Sequence, residues 1–171
     1  MKPRAILRAA ITGTMIMLGV VTAGRLAGSA VEAAEPAGTV LVVDGRITHG
    51  TASFDLALLK SLPRITIKTM TPWLDGENEF EGVRARDLLD RLGAQGTTVL
   101  ASAVDEYQIA IPIEDFRDND VILAFAMNGE LLPPDNKGPL WIIYPFSDHP
   151  GLQKDLYFSR SVWQLNRLTV Q

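Results

Sequence analysis

Turn formers cut this chain into short pieces, and that limits the folds open to it. From Thr39 onward, Asp44-Gly45, Pro63, Pro72, Gly93, Pro112, Asn128-Gly129, Pro133 and Pro145 follow one another at short intervals. Each of them favours a turn backbone or removes a backbone donor. The intervening runs are too short for the helices of a bundle. Thr39 to Val43 reads as a strand, with Arg46-Ile47-Thr48 returning from the turn. Ser53 is placed to cap a helix from Phe54 to Leu62, which Pro63 closes. Ile65 and Ile67 alternate with polar residues into Thr69, as a half-buried strand does. After an acidic loop from Asp75 to Glu81, Val83 to Leu92 has helical spacing and stops at Gly93. Val99 to Ala103 and Tyr107 to Ile111 read as strands, Ile113 to Phe116 as one helical turn, and Val121 to Met127 as a continuously apolar strand. Asn128-Gly129 is the strongest hairpin signal, with Leu131-Leu132 returning. Leu140 to Tyr144 reads as a buried strand, Pro145 to Asp155 as irregular, and Val162 to Val170 as a closing strand. Short strands mixed with two modest helices predict an α+β domain on a mixed β-sheet.

The first residues carry a separate signal. Lys2, Arg4 and Arg8 precede an apolar run from Ala9 to about Gly24, and small residues follow. This is the layout of a signal peptide over residues 1–33, with Gly28-Ser29-Ala30 or Val31-Glu32-Ala33 as cleavage sites. The expected product is a single domain, 34–171, that does not span the membrane and is periplasmic or secreted. Arg4 and Arg8 are not adjacent, so a twin-arginine signal is absent and export of an unfolded chain is implied. The chain has no cysteine, which suits an exported protein that uses neither disulfides nor thiol chemistry. Cleavage removes four of the 16 basic and one of the 20 acidic residues, so the formal charge moves from −4 to −7. Such a surface repels nucleic acid.

Common catalytic patterns are missing. His49 and His149 are the only histidines, and neither has metal-spaced company. There is no Gly-x-Ser-x-Gly elbow and no phosphate-binding glycine loop. Glu79 and Glu81 lie in the acidic loop with nothing to split their pKa values, which reads as a solvated face.

Several short segments carry more information together than alone. They are Ile65 to Thr69 running into Met70-Thr71-Pro72-Trp73, Phe80 to Val83, Ala103 to Tyr107, Ile111 to Phe116, Gly138-Pro139-Leu140-Trp141 leading to Pro145, and Ser161-Val162-Trp163. In that order they resemble the sulfite-oxidase-type molybdopterin-binding domain over residues 39 to 170. In that family the end of the strand corresponding to 65–69 carries a cysteine whose thiolate ligates molybdenum. Here that position is Thr69, and a hydroxyl is a poor substitute for a soft thiolate at a redox metal. The resemblance therefore implies a pterin ligand held without molybdenum, no catalytic residues, and a protein that is not an enzyme. It is similar to the PruR-type periplasmic pterin-binding proteins, small exported chains that report a pterin to a membrane signalling partner. The implied partner is the extracytoplasmic domain of a cyclic-dinucleotide enzyme. Two alternatives stand beside this reading, a molybdopterin-dependent oxidoreductase or its subunit, and an interaction module whose cleft is filled by side chains.

For a pterin, the expected ligand-binding set is Thr69, Trp73, Asp105, Tyr107, Tyr144, Asp148, Arg160 and Ser161. Trp73, stiffened by Pro72, offers a stacking face. Asp105 and Asp148, with Asp75 as a third candidate, offer a carboxylate to the amino and ring N–H edge. Trp141 and Tyr144 fall on opposite sides of their strand, with Tyr144 expected in the cleft and Trp163 in the core. Arg160 is a candidate for an anionic substituent, with Ser161 adding a hydrogen bond.

Overall fold

The computed structural model describes residues 37–171. The expected signal peptide and its cleavage sites lie outside those residues. In chain order the elements are β1 (Thr39–Gly45), β2 (Thr51–Asp55), α1 (Leu56–Ser61), β3 (Arg64–Met70), β4 (Glu77–Arg84) and α2 (Ala85–Arg91). There follow β5 (Thr98–Ala103), β6 (Gln108–Pro112), α3 (Ile113–Asp118), β7 (Ile122–Met127), β8 (Glu130–Leu131) and β9 (Trp141–Ile143). A single 3-10 turn (Pro150–Leu152), α4 (Asp155–Arg160) and β10 (Leu165–Val170) complete the chain. Among the described residues no helix is long and apolar enough to cross a membrane.

Two sheets result, and the α+β expectation holds. The first has the order β2-β1-β10-β5-β6, with β1 and β10 parallel and the other pairs antiparallel. The second runs β3-β4-β7-β8, and β9 pairs with β7 beside β8. Strand β7 explains how two cores share one sheet. Its residues are buried from Ile122 to Ala126, and they alternate sides as strand geometry requires. Leu123 and Phe125 enter the main core, whereas Ile122 and Ala124 join Phe80, Leu132, Trp141 and Ile143 in a smaller cluster on the other face. At Gly82, where the register between β4 and β7 shifts because Phe125 of β7 has no opposite residue, any side chain would run into the Leu123 carbonyl. The Asn128-Gly129 hairpin forms as expected, both residues having positive φ, as its turn type demands.

Four local expectations fail for identifiable reasons. The strand returning from Gly45 is β2 (Thr51–Asp55), because residues 46–50 form a wider turn in which the Arg46 N–H donates to the Val170 carbonyl. Residues 53–55 therefore belong to a strand, and the cap of α1 is Asp55, whose carboxylate accepts from the Leu58 N–H at 2.7 Å. The supposed acidic loop is mostly strand β4, in which buried Phe80 alternates with Glu79 and Glu81. Glu79 lies opposite Lys68 and Glu81 diagonally to Arg64 on β3, forming the pairs Lys68–Glu79 and Arg64–Glu81, so the charge masked an ordinary period of two. Finally, the segment read as irregular holds the start of α4. That helix buries no residue fully and so gives little periodic signal.

Candidate functional site

A cavity of about 340 Å3 opens between residues packed on the smaller core cluster, Trp73 and Trp163, and residues of the main one, Ala103, Phe158 and Val162. Trp73, Phe158 and Trp163 form its aromatic walls, with Asp105, Tyr107 and Ser161 supplying polar groups. The loop after β3 delivers Trp73, the β5–β6 turn delivers Asp105 and Tyr107, and α4 with the segment leading to β10 delivers the rest. Trp73 packs edge-on to Trp163 (centroids 5.6 Å apart) and Phe158 (6.0 Å), and tilts on buried Trp141 at 5.7 Å. Such contacts fix ring orientation. Trp73 thus covers the core with one part of its ring system and lines the cavity with another. On the far side of the wall, the Lys137 ammonium sits 4.3 Å from the Trp163 ring centroid.

Asp105 is an exposed residue whose Oδ1 accepts the Tyr107 N–H at 3.2 Å. Oδ2 has no partner among the described residues, which leaves an acceptor at the rim. The Tyr107 hydroxyl donates to the Ser159 carbonyl at 3.0 Å, tying the turn to α4. Ser161 is buried, and its hydroxyl donates to the Tyr157 carbonyl.

Four of the eight expected residues therefore meet at one cavity: Trp73, Asp105, Tyr107 and Ser161. The other four do not line it. Thr69 is fully buried, and its hydroxyl accepts the Ser147 N–H at 2.9 Å while donating to the Met70 carbonyl at 3.3 Å. The Ser147 hydroxyl in turn accepts the Met70 N–H at 3.0 Å. This reciprocal staple uses the hydroxyl's donor and one of its two lone pairs. Tyr144 is also fully buried and lies in the main core, where its hydroxyl donates to Asp115 Oδ2 at 3.0 Å. Burial first, and the Asp115 carboxylate second, push its pKa far above the usual phenol range. Trp141 and Tyr144 do face opposite sides, but with the roles exchanged: Trp141 backs the cavity wall. Asp148 is exposed and outside the cavity. Arg160 is ion-paired with Asp115 at 2.7 Å, so it does not point a free guanidinium at a ligand.

Sequence reasoning missed two wall residues. Phe158 sits in a helix that was not foreseen, and Trp163 was assigned to the core although it is only half-buried and lines the cavity. The clue to Trp163 was its place just before the closing strand, where side-chain alternation has not yet begun.

A family model, the oxidoreductase molybdopterin-binding domain, matches residues 29–171. The chain belongs to that family. It is 28% identical over 136 residues to YuiH of Bacillus subtilis (strain 168), an uncharacterized oxidoreductase, covering 65% of this chain and 69% of that protein. In structure it resembles the sulfane dehydrogenase SoxCD from Paracoccus pantotrophus, with a TM-score of 0.61 and 22% identity over 76% of this chain. The match takes in 37% of the SoxCD chain, so this chain spans little more than a third of that one. These findings establish the sulfite-oxidase-type fold, and the family's molybdopterin-binding domain suggests a pterin-type ligand. They also correct the expectation of a protein that is not an enzyme, because the family and both relatives are oxidoreductase or dehydrogenase by name.

The family's cofactor fits this chain in one part only. A planar pterin matches the aromatic walls and the free Asp105 oxygen. A metal-ligating thiolate has no counterpart, since the sequence lacks cysteine and Thr69 Oγ1 is bonded to backbone groups. Among the described residues no cluster of three or more His, Cys, Asp or Glu side chains is arranged to hold a metal.

Proposed function

We propose that the chain is the pterin-holding component of an oxidoreductase, with the ring seated against Trp73, Phe158 and Trp163 and no protein bond to a metal. The observation that carries this reading is the aromatic cavity with an unspent carboxylate oxygen at its rim. Aromatic side chains stack planar heterocycles at about 1–3 kcal/mol per ring. A carboxylate pairs with adjacent amino and ring N–H groups in the same plane, which orients the ring as well as binding it. The walls exclude water from one face and leave the rim side open. A cleft filled by its own side chains is at odds with the cavity.

Titration of the purified domain with oxidised and reduced pterins, read by quenching of tryptophan fluorescence, tests the proposal. Saturable one-to-one binding that Trp73→Ala weakens supports it. Absence of quenching by any pterin sinks it. Metal analysis of the protein from its own source tests the second clause, the expected result being pterin without stoichiometric molybdenum.

A second reading draws on the Thr69 staple, which leaves the family's metal-ligand position inert. Under it the domain works outside the cytoplasm and reports pterin occupancy to the extracytoplasmic part of a membrane signalling protein. Ligand shifts such a partner only through differential affinity for two states. Recovery of a membrane protein by the pterin-loaded domain, and not by the empty one, distinguishes this reading from the first.

A further inference from the structure

One wall of the cavity combines apolar packing with polar support. Helix α4 contributes Phe158 and Ser159 to the lining; none of its six residues is fully buried, and Tyr157 and Phe158 pack against the main core. Its C-terminal end is also held by two polar ties to neighbouring elements. The Tyr107 hydroxyl donates to the Ser159 carbonyl at 3.0 Å, and the Arg160 guanidinium donates to Asp115 Oδ2 at 2.7 Å. Asp115 lies on α3, outside the cavity lining, and the same oxygen accepts the Tyr144 hydroxyl. The Asp115 and Arg160 side chains are each only 12% exposed. At that burial a carboxylate and a guanidinium are stable because they are paired, and loss of one charge leaves the other uncompensated. The residue after Arg160 is Ser161, so any shift of the ion pair passes directly to the wall formed by Phe158, Ser161 and Trp163.

We infer that Asp115 is a positioning residue for the pterin cavity: through Arg160 it sets α4, and with it the distance of Phe158 from Trp73 and Trp163. This rests on the proposal that the cavity takes a pterin ring. A binding wall held by a neighbouring charge pair loses affinity when the support loosens, even though the support never meets the ligand.

The test compares Asp115→Asn, which removes the charge facing Arg160, with Tyr144→Phe, which removes the other hydrogen bond to the same carboxylate and leaves the ion pair. Both are expected to lower the melting temperature, but they should part in affinity. Asp115→Asn is expected to weaken pterin binding about tenfold, and Tyr144→Phe to leave it within about twofold. Asp115→Glu is expected to recover part of the loss. In the ligand-free protein, the tryptophan bands of the near-ultraviolet circular dichroism, to which Trp73 and Trp163 contribute and Tyr144 does not, should change in Asp115→Asn and not in Tyr144→Phe. If Asp115→Asn does not fold, Arg160→Gln, which removes the other charge of the pair, carries the same comparison. Wild-type affinity and an unchanged aromatic spectrum in Asp115→Asn overturn the inference, as do equal affinity losses in the two variants. If the wild-type domain binds no pterin, the proposed function fails, while the ligand-free spectra still decide whether Asp115 sets the wall.

Discussion

The Thr69–Ser147 junction and the Trp73–Asp105 cavity differ in what their polar groups have left to give. At the junction the Thr69 hydroxyl accepts the Ser147 N–H and the Ser147 hydroxyl accepts the Met70 N–H across the end of β3. At the cavity one carboxylate oxygen and aromatic wall surface have no partner among the described residues. Both regions contain residue types that suit a ligand. The first is closed over, its Thr69 hydroxyl fully buried and bonded to backbone groups, whereas the second presents its unspent oxygen at an opening, and accessible capacity marks a site better than residue type does.

The comparison is tested hardest at its base. Trp141 is fully buried beneath the cavity and touches Trp73, Phe80 and Trp163. Trp141→Ala is expected to cost about 3–5 kcal/mol of stability, measured by urea denaturation, and to abolish the cavity with it. Trp73→Ala should weaken pterin binding by about 1–3 kcal/mol in a calorimetric titration and destabilise less than Trp141→Ala. Thr69→Val should reverse that pattern. Leaving the part-buried Ser147 N–H without the Thr69 acceptor costs about 1 kcal/mol of stability, with pterin affinity unchanged. An affinity loss in Thr69→Val that matched the one in Trp73→Ala would erase the distinction between the two regions. Asp105→Asn should cost about 1 kcal/mol of affinity and leave the melting temperature in place, since the residue is exposed.

The smallest effect concerns pH. The Tyr144 pKa is raised in the folded protein, so the folded state holds this proton where the unfolded chain has released it. The associated stability is fully present below the unfolded tyrosine value of about 10 and is lost as pH rises above it. Alkaline unfolding of the native protein should therefore be steeper than that of Tyr144→Phe.

Much of the fold was legible because it rests on local signals. Asn128-Gly129, Pro63 and the apolar run into Met127 each dictate structure within a few residues, and the elements there fall where expected. The failures share a cause in distant partners. Glu79 and Glu81 read as a solvated loop because the cations that pair with them are on β3. Arg160 read as a ligand contact because Asp115 is 45 positions away. Tyr144 was placed in the cleft because alternation tells that two residues face opposite sides without telling which side is the core. Trp73, Asp105 and Tyr107 were found because turns and loops kept them out of the sheet interior.

The position of β10 has a consequence for the order of assembly. The final strand joins β1 to β5 in the middle of its sheet, and Gln171 bonds back to Thr98. Until that strand emerges, β1-β2 and β5-β6 are two separate hairpins, each with an unsatisfied inner edge. A chain stopped short of Leu165 leaves that sheet in halves, and edges of this kind invite pairing with other chains. Chains stopped before β10 are therefore expected to aggregate or be degraded before they can compete for ligand.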